Sequence, residues 1–277
     1  MLGAIIGDIV GSAYEWNNIK TKDFPLFTKA SHFTDDTVMT LAVSEACVGY
    51  QNAKTGKYWQ NGSNNLWFQT RLLSTMQAMG RMYPDVGYGA NFDVWINSDD
   101  PQPYNSYGNG SAMRVSPVAY FSDTLEEALT LARLSAEVTH NHPDGIRGAQ
   151  ATAACVFMAL NGDSKSSIRS YVEKHFYSLN FTLDEIRPVY RYDVSCQGSV
   201  PQAIKAFLEG EDFEDTIRGA VSIGGDSDTI AAIAGSIAEP FFRSIRPGVV
   251  NRALDCLDEH LLSVYERGVK LRPHTYL

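Results

Sequence analysis

Two short segments of the chain, residues 33–37 and residues 224–229, each combine two aspartates with a threonine hydroxyl. The first reads Phe-Thr-Asp-Asp-Thr, the second reads Gly-Gly-Asp-Ser-Asp-Thr, and an apolar run with helical spacing follows each of them. Aspartate and threonine at such positions cap helices and interact favourably with the helix dipole. A cap needs only one such side chain, and two adjacent carboxylates repel each other unless a cation lies between them. The pairing of acids therefore indicates a cation site as well as a cap.

If the fold brings both segments together, four carboxylates and up to two hydroxyls share one site. An oxygen-only set of ligands suits Mg²⁺ or Mn²⁺, whereas zinc prefers histidine and cysteine. Four carboxylates balance the charge of two divalent ions, and two metal ions about 3.5–4 Å apart are a common arrangement in hydrolases. The acidic segments thus predict a hydrolytic site with two metal ions.

Several other residue types between these segments are suited to binding a phosphate or a metal. Gly108 and Gly110 would allow backbone N–H groups to approach a phosphate closely. Arg114 either adds positive charge there or forms a surface or structural ion pair. His140 and His142 could chelate a metal, but the proline that follows them favours a role for His140 in a turn or beside the site.

These residues must be positioned by helices, because alternating strand-like runs rich in Val and Ile are nearly absent. Apolar residues at helical spacing predict helices over residues 2–13, 35–48, 66–79, 125–138, 146–160, 166–176, 200–208, 213–221, 229–237 and 249–264. In the first, Gly3, Gly7 and Gly11 place three small residues on one face, where another backbone can approach closely. Asp8 lies within the same apolar run and is predicted to be paired or to accept hydrogen bonds. The predicted fold class is all-α.

Two stretches appear irregular in the sequence. Residues 51–65 are predicted to form a surface connection, and the aromatic residues within 84–111 favour an ordered, ligand-facing loop, with a satellite core as the alternative. Pro201 is placed in the first turn of the helix over residues 200–208, where proline is tolerated. Because no linker or charge block divides the chain, residues 1–277 are predicted to form a single domain.

The composition excludes some classes of protein. The 277 residues are 44% hydrophobic and 20% charged, as in ordinary globular proteins. Lys and Arg total 23 against 32 Asp and Glu, and the net charge of −9 argues against nucleic-acid or membrane binding through bulk charge. The N-terminal run lacks the basic start of a signal peptide, and no run is long enough to span a membrane. The separated cysteines predict buried, reduced thiols, so we expect a cytoplasmic protein.

A larger set of motifs covers almost the whole chain. They are Gly-Ala-Ile-Ile-Gly-Asp at residues 3–8 with Gly11, Ser12 and Glu15, Thr-Asp-Asp-Thr at 34–37, Gly-Asn-Gly-Ser-Ala-Met-Arg at 108–114, Thr-His-Asn-His-Pro at 139–143, and Gly-Gly-Asp-Ser-Asp-Thr at 224–229. In order and spacing they resemble the ADP-ribosylglycohydrolases, the DraG-like family. The match is looser at residues 51–65 and after Glu239, where residues 241–247 stand in place of a tyrosine-glycine turn.

The resemblance implies a compact, orthogonal all-α domain that binds two Mg²⁺ ions, or Mn²⁺, between the acidic segments. The matching metal ligands are Thr34, Asp35, Asp36, Asp226, Asp228 and Thr229. Glu15 matches a glutamate on a mobile loop that gates the site, although its residue type alone predicts only a solvated helix end. We expect Glu15, Asp35 or Asp36 to assist proton transfer, and the choice among them stays open.

For the substrate, the resemblance implies an ADP-ribose site between two glycine-rich segments. The matching residues are Gly87, Gly89, Asn109, Gly110, Ser111, Ala112 and Met113, with His140 near the phosphate and ribose. The expected reaction is hydrolysis of the C1″ glycosidic bond through an oxocarbenium-like state. The expected partner is an ADP-ribosylated protein, with arginine as the first choice of acceptor. Serine-linked ADP-ribose and ADP-ribose on nucleic acid or small molecules stay open.

Two functions of other classes also stay open. One is a non-catalytic regulator that binds ADP-ribose, but all four motif aspartates are present, which argues against it. The other is a phosphoester hydrolase with two metal ions. The sequence has no P-loop and no histidine-rich metal shell, which argues against that alternative.

Overall fold

The computed structural model describes residues 1–54 and residues 64–272. Within these two ranges the regular structure is helical, and the only β-type pairing is an isolated bridge between Gly108 and Ser195. The all-α prediction is confirmed. The helices of the described residues are α1 (Leu2–Ser12), α2 (Asp35–Lys54), α3 (Asn64–Met82), α4 (Ala90–Asn97), α5 (Gly110–Met113), α6 (Ser116–Tyr120), α7 (Leu125–Glu137), α8 (Pro143–Leu160), α9 (Lys165–His175), α10 (Leu183–Ile186), α11 (Cys196–Glu209), α12 (Phe213–Ser222), α13 (Ser227–Phe242), α14 (Pro247–Leu254) and α15 (Glu259–Leu271).

Helices α1 and α13 pack against each other in the interior and run antiparallel. A Cβ atom added to Gly7 would lie 2.1 Å from the carbonyl oxygen of Ala231, and one added to Gly11 would lie 2.4 Å from that of Ser227. Gly3 meets α13 in the same way, one turn further along. The prediction of a close backbone approach is confirmed. This antiparallel packing places the C-terminal end of α1 beside the N-terminal end of α13.

Two predicted helices have different boundaries because side chains cap them elsewhere. The predicted helix over residues 249–264 is two helices, α14 and α15, since Asp258 accepts a 2.8 Å hydrogen bond from the Leu261 amide and starts the second one. Helix α11 starts at Cys196, after its Ser195 cap and four residues before the predicted start. Pro201 therefore lies inside that helix, and the prediction that it occupies the first turn is wrong.

The two stretches predicted to be irregular are partly helical. Residues 84–111 contain α4, because Phe92 and Trp95 are three positions apart on one face and both pack into the core. Of the predicted surface connection over residues 51–65, residues 55–63 lie outside the described part of the chain. Helices α2 and α3 extend into that stretch from either side.

Neither disulfides nor membrane-spanning helices contribute to the described structure. The four cysteines are free thiols, of which Cys47, Cys155 and Cys196 are buried and Cys256 is half-buried. Through residues 1–54 and 64–272, no helix combines the length and the apolar character that crossing a bilayer requires.

Candidate metal and substrate site

The two acidic segments meet at the N-terminal ends of α2 and α13. Asp35 and Asp36 lie in the first turn of α2, Asp226 is the N-cap residue of α13, and Asp228 lies in the first turn of α13. The hydroxyl of Thr229 donates a 3.1 Å hydrogen bond to Oδ2 of Asp36, across 193 residues of sequence. The fold thus brings the four motif aspartates to one place.

Glu15 follows the C-terminal end of α1 and joins the acidic cluster. One carboxylate oxygen from each of Glu15, Asp226 and Asp228 lies within 4.8 Å of the other two. Oε1 of Glu15 accepts a 3.0 Å hydrogen bond from the hydroxyl of Tyr192. The side chain of Glu15 is therefore directed into the site, and the interpretation of a solvated helix end is wrong.

The loop that carries Glu15 is attached to the second acidic segment. The side chain of Asn18 accepts a 2.7 Å hydrogen bond from the amide of Gly225 and donates a 3.0 Å bond to the carbonyl of the same residue. It also donates a 2.7 Å bond to the carbonyl of Glu15, and Lys20 donates to the carbonyl of Ile223. These bonds hold the loop against the turn that precedes α13.

Asp8 connects α1 to the first acidic segment. It is fully buried and accepts hydrogen bonds from the amide groups and the hydroxyls of Thr34 and Thr37. The prediction that Asp8 accepts hydrogen bonds is confirmed. Because the Thr34 hydroxyl donates its proton to Asp8 over 2.7 Å, the lone pairs of its oxygen are directed away from Asp8.

The acidic cluster is strained electrostatically. Burial, together with the charges of Asp8 and Asp226, raises the pKa of Asp35 to about 8. Burial is also the main cause that raises the pKa values of Asp36 and Asp228, and neighbouring carboxylates raise them further. A cation held among these groups would relieve both effects.

The donor atoms of the cluster fit a divalent cation that prefers oxygen. Oδ1 of Asp36 and Oδ1 of Asp228 are both buried and have no hydrogen-bond partner. An unsatisfied buried acceptor costs about 1–3 kcal/mol, and more when it is charged. Because every candidate ligand is a carboxylate or a hydroxyl, these atoms suit Mg²⁺ or Mn²⁺ better than zinc.

We expect the metal-free protein to lose stability as the pH rises towards 8. The folded state keeps protons on carboxyl groups that the unfolded chain has already released. In the unfolded chain these carboxyl groups have a pKa of about 4. In the folded protein the pKa of Asp35 is about 8. The free energy of unfolding therefore falls as the pH rises between these two values. Asp228→Asn replaces a buried carboxyl group, whose pKa burial raises well above its usual value, by a neutral amide. In EDTA at pH 8 it should raise the melting temperature by a few degrees.

Asp99→Asn, at an exposed position outside the cluster, is the matched control and should leave the melting temperature unchanged. Added Mg²⁺ should stabilise the wild-type protein and remove the loss of stability at high pH. A lower melting temperature for Asp228→Asn in EDTA would show that the charges do not repel as described.

A cleft of about 600 Å³ opens over the acidic cluster. The predicted site residues that line it are Glu15, Thr34, Asp35, Asp36, Gly87, Gly89, Asn109, Gly110, Met113, His140, Asp226, Asp228 and Thr229. Ser111 and Ala112 are fully buried behind this lining, and the Ser111 hydroxyl donates a 2.7 Å hydrogen bond to the carbonyl of Gly145. The structure thus brings together all the predicted site residues except these two.

Asn109 joins the glycine-rich loop to the acidic cluster. Its side-chain amide donates a 2.6 Å hydrogen bond to Oδ2 of Asp226 and a 2.9 Å bond to the hydroxyl of Ser199. Its backbone amide donates to the carbonyl of Val194 over 2.7 Å. Asn109 therefore orients an acidic side chain as well as lining the cleft.

Arg114 and His140 lie next to each other below the glycine-rich loop. The Arg114 side chain is 1% exposed and donates to the carbonyl of Ser135 and the hydroxyl of Thr139, which excludes the surface ion pair. Burial and the charge of Arg114 lower the pKa of His140 well below its usual value. His140 is therefore a neutral imidazole, and a Cβ atom on Gly110 would lie 3.1 Å from its Nε2.

His142 does not point to a metal site. Its ring accepts a 3.1 Å hydrogen bond from the amide of Asp144 and caps α8. His142 has an extended backbone, and the proline that follows it is the first residue of that helix. Metal chelation by His140 and His142 together has no support here.

Among the residues at the site that the sequence pattern did not single out are Trp16, Asn18 and Tyr192. Trp16 and Tyr192 line the cleft, and Asn18 holds the loop of Glu15. Tyr192 is 177 residues from the glutamate that it contacts, and no local spacing relates the two. In the sequence itself, only the position of Trp16 directly after Glu15 indicates that one of these residues lies near the site.

The fold and the site define an all-α protein with an acidic cleft whose oxygen atoms suit a divalent cation. The chain belongs to the ADP-ribosylglycohydrolase family, whose sequence model matches residues 1–238. It is an enzyme of that family, a glycosidase that cleaves glycosidic bonds of ADP-ribose. The resemblance found from the sequence motifs is thereby confirmed.

Relatives match most of the chain at low identity. The ADP-ribosylhydrolase ARH3 of Mus musculus is 26% identical over 87% of this chain and 82% of its own length. The ADP-ribosylarginine hydrolase Tri1 of Pseudomonas putida is 25% identical over 86% of this chain and 68% of its own. A solved structure titled ADP-ribosylglycohydrolase-related protein complex matches with a TM-score of 0.65 and 22% identity, covering 98% of this chain and 97% of the other. That structure supports the fold.

Proposed function

We propose that the enzyme releases ADP-ribose from arginine side chains of modified proteins by hydrolysing the C1″ N-glycosidic bond. The proposal that this reaction depends on a metal rests on two carboxylate oxygens, one of Asp36 and one of Asp228. Both are buried without a hydrogen-bond partner, at the adjoining ends of α2 and α13. The choice of arginine is supported by the relative from Pseudomonas putida, which is named as an ADP-ribosylarginine hydrolase. Serine-linked ADP-ribose is the alternative substrate.

Two Mg²⁺ ions, with Mn²⁺ as the alternative, are proposed as the cofactors. The residues that would hold them are Thr34, Asp35, Asp36, Asp226, Asp228 and Thr229. When bound, the ions would orient the ribose hydroxyls and lower the pKa of a bound water. The four aspartates would then be charged, and their repulsion would be neutralised.

The other residues of the cleft would hold the substrate for an oxocarbenium-like transition state. Backbone amides at Gly87, Gly89 and Gly110 can approach the diphosphate closely. Neutral His140 can donate or accept a hydrogen bond at the phosphate or ribose without adding charge. Carboxylates beside C1″ would stabilise the positive charge that develops there.

Proton transfer is proposed for Glu15 or Asp35. All three candidate carboxylates line the cleft, but Asp36 is only 2% exposed and its Oδ2 accepts a hydrogen bond from Thr229. Burial raises the pKa of Glu15, which is the direction that a proton-donating carboxyl group requires. The hydroxyl of Tyr192 orients the same carboxylate.

The purified protein should be incubated with peptides that carry ADP-ribose on arginine or on serine, with Mg²⁺ or with EDTA. We expect Mg²⁺-dependent release of free ADP-ribose from the arginine-linked peptide. Release from the serine-linked peptide alone would favour the alternative acceptor. Equal rates with Mg²⁺ and with EDTA would contradict the metal-dependent mechanism.

A further inference from the structure

Trp16 and Tyr192 form an aromatic pair at the mouth of the cleft. Trp16 is 78% exposed, a larger fraction than any other large apolar side chain in the described residues, and Tyr192 is 46% exposed. Their rings are stacked, with centroids 5.6 Å apart and planes inclined by 26°. The two stacked rings therefore form an exposed aromatic face beside the cleft that is open to contact with a ligand.

The aromatic pair lies against a carboxylate. Trp16 follows Glu15 directly in the chain, and the Tyr192 hydroxyl donates a 3.0 Å hydrogen bond to Oε1 of Glu15. An aromatic face next to a fixed carboxylate is suited to a planar cation, which can stack on the ring and pair with the acid.

The charge of the cleft favours a cationic ligand at this position. Six acids line the cleft, and with the four proposed metal ligands neutralised by Mg²⁺, Glu15 and Asp85 still carry negative charge there. Apart from the buried Arg114, the described lining contains no lysine or arginine. Within the described residues, no lysine or arginine lies over the ring of Trp16 or of Tyr192. The aromatic pair is therefore available to a cation from outside.

We propose that Trp16, Tyr192 and Glu15 form the subsite that holds the guanidinium group of the acceptor arginine. This inference rests on the proposed function, since it assigns the acceptor side of the same cleft. A guanidinium group is planar, permanently charged and weakly hydrated, so it gains from stacking and from the carboxylate together. A serine acceptor has neither the plane nor the charge.

Kinetics of Trp16→Ala and Trp16→Phe on an arginine-linked peptide test the assignment. Loss of the indole should raise KM about tenfold, since cation–π contacts contribute roughly 1–2 kcal/mol. The phenylalanine variant should recover part of this loss. The inhibition constant of free ADP-ribose, which has no guanidinium, should change less than about twofold for the same variants.

Trp67→Ala is the matched control, because Trp67 is a partly exposed tryptophan outside the cleft lining. It should leave KM unchanged. If KM and the ADP-ribose inhibition constant rise together in Trp16→Ala, the indole contacts the ADP-ribose part and the proposal is overturned. An unchanged KM would also overturn it.

A binding experiment separates this inference from the proposed reaction. Protein saturated with ADP-ribose and Mg²⁺ is titrated with N-acetyl-arginine amide or its neutral isostere N-acetyl-citrulline amide, and tryptophan fluorescence is followed. We expect quenching by the arginine compound only, and its loss in Trp16→Phe. Equal responses to both compounds would overturn the guanidinium subsite. Selective quenching in a protein that does not cleave the arginine linkage would instead support the subsite and contradict the proposed substrate.

Discussion

Asp226→Asn is expected to lower kcat by about a thousandfold, because it removes the charge of a proposed metal ligand at the centre of the site. Asp226 is 5% exposed, it occupies the N-cap position of α13, and its carboxylate lies beside those of Asp228 and Glu15. An asparagine has the same shape but no charge, so the affinity for Mg²⁺ should fall by orders of magnitude. Turnover and Mg²⁺ titration calorimetry measure the two effects. Asp36→Asn should behave in the same way.

The fold should survive this substitution. The side chain of Asn109 donates to Oδ2 of Asp226, and the carbonyl oxygen of an asparagine can accept the same hydrogen bond. The circular dichroism spectrum should therefore match that of the wild type. Asp99→Asn serves as the exposed control. Wild-type turnover in either Asp226→Asn or Asp36→Asn would show that the site formed by the two acidic segments is wrong.

Gly7→Ala is expected to lower the free energy of unfolding by about 3 kcal/mol, at the upper end of the usual cost of overpacking. The added Cβ would lie 2.1 Å from the carbonyl oxygen of Ala231 and 2.6 Å from the amide nitrogen of Ala232. Both contacts are backbone atoms within a helix, so no flexible side chain can move aside. Urea denaturation measures the loss.

Gly248→Ala is the matched control, because Gly248 also lies in a helix and a Cβ there meets nothing within 4 Å. It should stabilise the protein by up to about 1 kcal/mol through helix propensity. Gly7→Ala should also reduce turnover, since separating α1 from α13 moves Glu15 away from Asp226. Equal stability of Gly7→Ala and the wild type would contradict the close packing of the two helices.

The features that the sequence predicts well are local ones. The spacing of Gly3, Gly7 and Gly11 places them on one helix face whatever the rest of the chain does. The paired acids of residues 34–37 and 224–229 stand before apolar helices, so their positions at helix starts follow from helical periodicity. The class of fold and the acidic site could be predicted for this reason.

The predictions of where helices begin and end were less accurate than the predictions of local features. Caps made by Ser195 and Asp258 set the starts of α11 and α15, and a cap depends on one side-chain hydrogen bond that periodicity does not show. In the glycine-rich loop, Ser111 and Ala112 match the expected motif but turn away from the cleft into the core. The short helix α5 decides which of its residues face outward.

The helical class, the family motifs, the four aspartates and the face of small residues on α1 could all be found from the sequence. The direction of the Glu15 side chain, and the side chains that hold it, depend on the tertiary structure. Asn18 and Tyr192 act through contacts across 207 and 177 residues. Periodicity defines which residues share one face of a helix. The pairing of faces depends on how all the helices pack, and therefore on residues far apart in the chain.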